Sequence, residues 1–148
     1  VLALGCLAAA PTVRGATTFA GDLNLFQARN KVTAEAAREL AAFVKSEQLF
    51  ARSLGRTDVR TAATVRSYLD TLGELDRLTK RVLRDQKASD SLLASILALA
   101  SRNRTSAAWI LLKRGLEGQE RFLKTIADTR VLMARCKALR ATLSPAGG

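Results

Sequence analysis

Residues 59–82 read VRTAATVRSYLDTLGELDRLTKRV, and their apolar side chains recur in steps of three and four residues. This spacing places them on one face of an α-helix about seven turns long, with charged side chains on the opposite face. The members of the stripe are Val59, Ala62, Val65, Leu69, Leu72, Leu75, Leu78 and Val82. The pattern predicts a chain built from long amphipathic helices.

Similar reasoning predicts three further helices around this one. The first spans 33–54, with Thr33 as its N-cap and a glycine directly after its end. The polar stretch 84–91, RDQKASDS, is typical of a connection, and the apolar segment 92–101 then forms a short, buried helix. The last helix runs over 105–143, before a proline. Four helices with short connections favour an all-α fold, an antiparallel four-helix bundle with a long C-terminal helix.

The regions on either side of these helices lack a sustained helical period. We therefore expect an extended N-terminal arm over 1–30, a helical bundle over 31–144 and a C-terminal tail over 145–148. Apolar anchors would hold the arm against the bundle or against a neighbouring subunit. The anchors are Leu2, Leu4, Leu7, Leu25 and Phe26.

The composition argues against the common catalytic chemistries. The chain of 148 residues contains no histidine, so it lacks the usual general base and the commonest zinc ligand. Its two cysteines, Cys6 and Cys136, match no metal or redox spacing, although they could pair if the arm packed beside the last helix. Glu117 and Glu120 share a helix face, but three nearby basic residues indicate a solvated ion-pair surface. We expect a protein that is not an enzyme and that needs no cofactor or metal.

Positive charge is concentrated at the C-terminal end of the chain. The formal net charge is +11, and residues 101–148 contain ten basic and three acidic residues. On a wheel of 100° per residue, the apolar residues of 132–143 lie roughly 130° from those of 109–126. A straight helix could not bury both sets in one core, so we expect 130–143 to bind a partner. The residues predicted for this contact are Arg130, Leu132, Met133, Arg135, Lys137, Leu139 and Arg140.

One local stretch resembles a known family. Residues 65–78, VRSYLDTLGELDRL, are similar to a stretch of the PsbQ-type extrinsic subunits of photosystem II, where a basic residue precedes a Tyr-Leu pair and further leucines. The acid and the leucine after that pair fall out of register with the family, whose proline-rich arm is also missing. The resemblance implies a helical bundle with an N-terminal arm. It further implies a lumenal, non-catalytic subunit that docks on a membrane complex and stabilises it.

These observations lead to an expected function and an alternative. We expect a structural subunit of a large organellar complex, in the thylakoid lumen or the mitochondrion. It would bind other protein subunits and lie peripheral to a membrane, since no run of 18 apolar residues is present. The alternative is an RNA-contacting helical protein, such as an organellar ribosome component. Basic charge favours nucleic acid too, but the chain lacks the alternation of basic and aromatic residues used to stack bases.

Overall fold

The computed structural model describes residues 17–54 and 59–143, and the regular secondary structure of this part of the chain is entirely helical. Helix α1 spans Phe19–Ser53, α2 spans Val59–Ser101 and α3 spans Thr105–Leu143. At 1.5 Å per residue, the 43 residues of α2 extend over roughly 65 Å. The connections between the helices are short, so α2 runs antiparallel to both of its neighbours and α1 lies parallel to α3.

The predicted fourth helix is absent from the described residues, because 59–101 form one continuous helix. The stretch 84–91 is helical throughout, and two of its polar side chains, Gln86 and Ser89, are buried. Gln86 is hydrogen-bonded to α1, where Thr33 Oγ1 donates to Gln86 Oε1 over 2.7 Å. The prediction of a connection was wrong because polar side chains occupy core positions of the helix.

The predicted arm over 1–30 also needs correction. Helix α1 begins at Phe19, and the Thr18 hydroxyl caps it by accepting a hydrogen bond from Gly21 N at 3.1 Å. Thr33, predicted as the N-cap, is fully buried in the middle of α1. The predicted break before the last helix is confirmed: α2 ends at Ser101, Asn103 has a positive φ of 57°, and α3 begins at Thr105.

Buried residues follow a seven-residue repeat along all three helices. In α3 they alternate in steps of four and three, at Ala108, Leu112, Gly115, Gln119, Phe122, Ile126 and Thr129. The same alternation runs from Phe26 to Glu47 in α1 and from Tyr68 to Ile96 in α2. A repeat of 3.5 residues per turn keeps one face inward only when the helices wind around each other in a left-handed supercoil.

The core has three parts along the bundle, which we call upper, central and lower in the direction from the start of α1 to its end. The upper core contains Phe26, Ile96, Ala108 and Leu112. The central core contains Ala36, Ala37, Leu40, Val44, Leu75, Val82, Phe122 and Ile126. The lower core contains Tyr68, Leu72 and Cys136.

The supercoil overturns the expectation that the bundle cannot bury the end of α3. Leu132 and Met133 pack against the central core, and Leu139 packs against the lower core. A seven-residue repeat drifts by ~20° per heptad on an ideal straight helix. The two apolar sets are centred roughly three heptads apart, so the drift is about 60° and accounts for about half of their separation on a flat wheel. The rest arises because Leu116 and Leu123 flank one side of the buried stripe, whereas Leu132 and Leu139 flank the other.

Two glycines of α3 differ in what a side chain would meet. A Cβ atom at Gly115 would lie 2.7 Å from Phe26 Cε2 and 2.9 Å from Leu92 Cδ2, whereas a Cβ at Gly118 would meet nothing within 4 Å. We therefore expect Gly115→Ala to destabilise the fold by about 1–3 kcal/mol through overpacking. Gly118→Ala should stabilise it by about 0.5–1 kcal/mol through helix propensity. Urea denaturation followed by circular dichroism measures both changes.

Gly73 in α2 provides the control for this comparison. Its Cβ position is also open, so Gly73→Ala should match Gly118→Ala in sign and size. If Gly115→Ala were as stabilising as these two variants, Gly115 would not be a point of close approach between the helices.

Candidate functional site

The anchors predicted in the arm fall into two groups. Leu2, Leu4 and Leu7 lie outside the described residues, as do Cys6 and the tail over 145–148. Leu25 is 43% exposed on α1, whereas Phe26 is completely buried in the upper core. Phe26 is therefore an internal packing residue, and of the anchors in the described part of the chain only Leu25 is accessible.

The partner-binding residues predicted in α3 also separate into exposed and buried sets. Arg130, Arg135 and Lys137 are exposed, and we call these three residues the basic end of α3. Leu132, Met133 and Leu139 pack against the core, as described above. Arg140 turns inward and binds a buried carboxylate. The structure thus leaves three cations at the surface and uses the apolar residues between them to hold the bundle together.

The carboxylate bound by Arg140 belongs to Glu47, whose exposure is only 2%. Arg140 Nη1 donates to Glu47 Oε1 over 2.6 Å, and the Tyr68 hydroxyl donates to Glu47 Oε2 over 2.8 Å. The thiol of Cys136 lies 3.8 Å from the same Oε2. All three helices contribute to this cluster, which we call the ionic cluster. Arg140 neutralises the Glu47 carboxylate, whose burial without a cationic partner would be costly.

The Cys136 thiol and the Tyr68 hydroxyl of the ionic cluster are poor nucleophiles. Burial raises the pKa of the Cys136 thiol to about 11, and the neighbouring Glu47 carboxylate adds to this rise. Burial also raises the pKa of the Tyr68 hydroxyl, and the hydrogen bond to Glu47 raises it further. At neutral pH both groups are protonated, so Cys136 is not a reactive thiolate. The geometry indicates a structural role.

This pKa predicts how stability depends on alkaline pH. A thiol that ionises near pH 9.0 in the unfolded chain and near pH 11 in the folded chain binds its proton more tightly when folded. Its contribution is complete below pH 9.0 and is lost as the pH rises towards 11. As the pH rises, the free energy of unfolding should fall by about 2–3 kcal/mol less in Cys136→Ser than in the wild-type protein. Urea titrations of both proteins from pH 8 to pH 11 test it, and parallel curves would contradict it.

A second polar cluster, partly buried, joins α1 to α2. Asn30 Nδ2 donates to Asp90 Oδ1 over 2.7 Å. Gln86 Nε2 lies 3.0 Å from Asn30 Oδ1 and 2.9 Å from Asp90 Oδ1. With Thr33, these residues form what we call the polar layer. Such directional bonds fix which turn of α1 faces which turn of α2, because a shifted register would leave them buried without partners.

An open cleft of about 340 Å³ lies between α2 and α3, one turn from the polar layer. Leu92, Phe122 and Phe26 supply its apolar wall. Three arginines line it, Arg81, Arg114 and Arg121, together with a single acid, Asp85, which lies 3.8 Å from Arg81 Nε. The remaining wall contains Gly118 and the polar residues Ser89 and Gln119.

Two buried side chains beside this cleft each have a polar atom without a hydrogen-bond partner among the described residues. Gln119 is 2% exposed, and its Nε2 donates to the Phe26 carbonyl oxygen over 3.0 Å, which fixes the orientation of the amide. Its Oε1 accepts no hydrogen bond, and the Ser89 hydroxyl, also buried, makes none. A third buried hydroxyl, that of Thr79, is likewise unpaired but does not line the cleft, so these atoms do not distinguish the cleft from the rest of the core.

Other kinds of site are not found in the described part of the chain. Within 17–54 and 59–143, no three His, Cys, Asp or Glu side chains come close enough to hold a metal ion. Among the three described helices, none combines the length and apolarity needed to cross a membrane.

Comparison with known proteins gives no relative: no family model, no curated protein and no solved structure matches the chain significantly. The function must therefore be argued from the surface and the clusters themselves.

The sequence did not indicate the cleft or the ionic cluster. Glu47 and Arg140 are 93 positions apart, and no local pattern connects them. One signal was present, since Asn30, Gln86 and Gln119 continue the seven-residue repeat of buried positions with polar side chains. Following the repeat through polar positions, and not only through apolar ones, identifies these residues as part of the core.

Proposed function

We propose that this chain is a non-catalytic subunit of a large organellar complex and that it binds an acidic surface of a partner protein through the basic end of α3. The observation that carries the proposal is exposed positive charge that forms no ion pair in the described residues. Arg130, Arg135 and Lys137 are exposed, and none of them lies within 4 Å of a carboxylate in the described residues. Complementary charge on a partner would steer association and fix its register.

An apolar contact is available beside these cations. Val131 is 69% exposed, the highest value among the large apolar side chains described. It follows Arg130 directly and lies one helical turn before Arg135, so an acidic surface that meets these arginines can also cover the valine. Interfaces commonly combine an apolar centre with a charged rim.

The location of the proposed complex depends on the resemblance of residues 65–78 to the PsbQ-type extrinsic subunits. That resemblance supports a subunit that docks at the surface of a membrane complex. Thylakoid lumen or mitochondrion is the compartment we propose.

The aromatic residues favour a protein partner over RNA. Single-stranded nucleic acids are bound by aromatic side chains that stack on exposed bases. None of the five Phe, the single Tyr and the single Trp is exposed. Phe43 lies beneath Lys137, with the ammonium 5.4 Å from the ring centroid, and Phe50 lies beneath Arg140 at 4.4 Å. The aromatic rings near the basic end of α3 are therefore already covered.

A charge-reversal experiment tests the proposed contact. The triple variant Arg130→Glu/Arg135→Glu/Lys137→Glu should lower recovery of the partner at least tenfold when the tagged full chain is used to capture complexes from its native source. Reversing three exposed bases elsewhere provides the control, as Arg38→Glu/Arg77→Glu/Arg84→Glu. Equal losses in the two variants would contradict a contact at α3. Loss of the complex on nuclease treatment would instead favour the RNA alternative.

A further inference from the structure

The cleft between α2 and α3 has the dimensions and lining of a small-molecule site. Its volume of about 340 Å³ falls at the lower end of the range of ligand pockets, roughly 300–1,000 Å³. Such pockets combine apolar walls with a few polar groups that orient the ligand. Here Leu92 and Phe122 provide apolar surface, and the arginines at the border provide the polar groups.

The charge of the lining selects the chemistry of the ligand. Three guanidinium groups border the cleft and only one carboxylate does, so the border carries a net charge of +2. Asp85 lies 3.8 Å from Arg81, which leaves Arg114 and Arg121 without a carboxylate within 4 Å in the described helices. Guanidinium groups bind carboxylate, phosphate and sulfonate oxygens through paired N–H donors.

We propose that this cleft binds a small organic anion. The apolar body of the ligand lies against Leu92 and Phe122, and its acid group meets Arg114 and Arg121. This site is separate from the basic end of α3, and a negative result for one proposal leaves the other unaffected.

Gly118 allows the site to be blocked without disturbing the core. It lines the cleft, and a Cβ atom there would meet nothing within 4 Å. A leucine at this position would extend into the cleft. Gly73 is the matched control, because its Cβ position is equally open but it does not line the cleft.

The probe for the experiment is 8-anilinonaphthalene-1-sulfonate, which combines two aromatic groups, a sulfonate and an N–H donor. We expect saturable one-to-one fluorescence binding to the full chain. Gly118→Leu should weaken it at least tenfold, and Gly73→Leu should change it less than twofold. Absence of saturable binding, or equal affinity of the Gly118→Leu and wild-type proteins, would overturn the proposal by showing that the cleft holds only water.

A second comparison tests the role of charge. N-phenyl-1-naphthylamine has the same rings and amine but no sulfonate, so it should bind at least fivefold more weakly than the anionic probe. Arg114→Gln/Arg121→Gln should remove this preference, whereas Arg77→Gln/Arg84→Gln, on the exposed face of α2, should retain it. Equal binding of the two probes to the wild-type protein would show an apolar crevice and overturn the assignment to an anion.

Discussion

Replacing Arg140 with alanine is expected to lower the free energy of unfolding by about 3 kcal/mol, one of the two largest effects of a single substitution that we predict for this fold. The variant leaves the Glu47 carboxylate, only 2% exposed, without its cationic partner. Removing one member of a buried ion pair typically costs about 3–5 kcal/mol. We expect the low end of that range, because the Arg140 side chain is 38% exposed and water already screens the pair.

A double replacement distinguishes the cost of an orphaned charge from the loss of packing. Glu47→Leu/Arg140→Leu removes both charges together, so it should be at least 2 kcal/mol more stable than Arg140→Ala, as roughly expected when apolar residues replace a buried ion pair. Tyr68 keeps one acceptor in the double variant, since its hydroxyl also lies 3.1 Å from the backbone oxygen of residue 47. Guanidinium chloride denaturation gives the three values.

Lys137→Ala is the matched control for this prediction, because Lys137 is a neighbouring but exposed cation of α3. Its loss should cost less than about 1 kcal/mol, as for most surface charges. An equal effect of Lys137→Ala and Arg140→Ala would show that burial of Glu47 is not the source of the stabilisation.

Gln86→Ala is expected to destabilise the protein by about 2–4 kcal/mol. The substitution removes the acceptor of the Thr33 hydroxyl and a donor to Asn30 and Asp90. The buried Asn30 Oδ1 loses its donor, at a desolvation cost of about 1–3 kcal/mol, whereas the exposed Asp90 keeps its hydrogen bond from Asn30 Nδ2. Thr33 limits the loss, because its hydroxyl also lies 3.0 Å from the Asn30 carbonyl oxygen.

Ser95→Ala provides the comparison for Gln86→Ala. Ser95 lies on the exposed face of α2, where its hydroxyl donates to the Ser91 carbonyl oxygen over 2.9 Å. Its replacement should change the free energy of unfolding by less than about 0.5 kcal/mol, as for most surface positions. A Gln86→Ala protein as stable as Ser95→Ala would mean that the polar layer does not hold α1 against α2.

The parts of the fold that could be predicted from sequence are those in which the core positions are apolar. The stripe over 59–82 identified most of α2, and Thr105 marked the start of α3, because periodic leucines and a capping side chain are local signals. The start of α1 and the continuation of α2 could not be predicted, because the residues of the polar layer place polar side chains at core positions. Thr33 is a good capping residue in isolation, and only its contact with Gln86, 53 positions away, shows it to be a core residue. The prediction of a connection over 84–91 was wrong for the same reason.

The candidate sites were less predictable than the helices. The bases at Arg130, Arg135 and Lys137 could be read directly, because an absence of acids after Asp128 is a property of the sequence alone. The inward turn of Arg140 could not, since it depends on a carboxylate supplied by α1. The cleft depends on the register of α2 against α3, which arises from the winding of the helices and not from any single segment.

Zero-length cross-linking tests the proposed contact most directly, because a carbodiimide joins lysine amines to carboxylates that touch them. Lys113, Lys124 and Lys137 lie on α3, whereas Lys31, Lys45, Lys80 and Lys87 lie on α1 and α2. In complexes isolated from the native source, we predict cross-links from Lys137, and to a smaller extent Lys124, to Asp or Glu residues of one partner protein. Cross-links confined to the lysines of α1 and α2 would contradict the account, as would recovery of RNA in place of a protein partner.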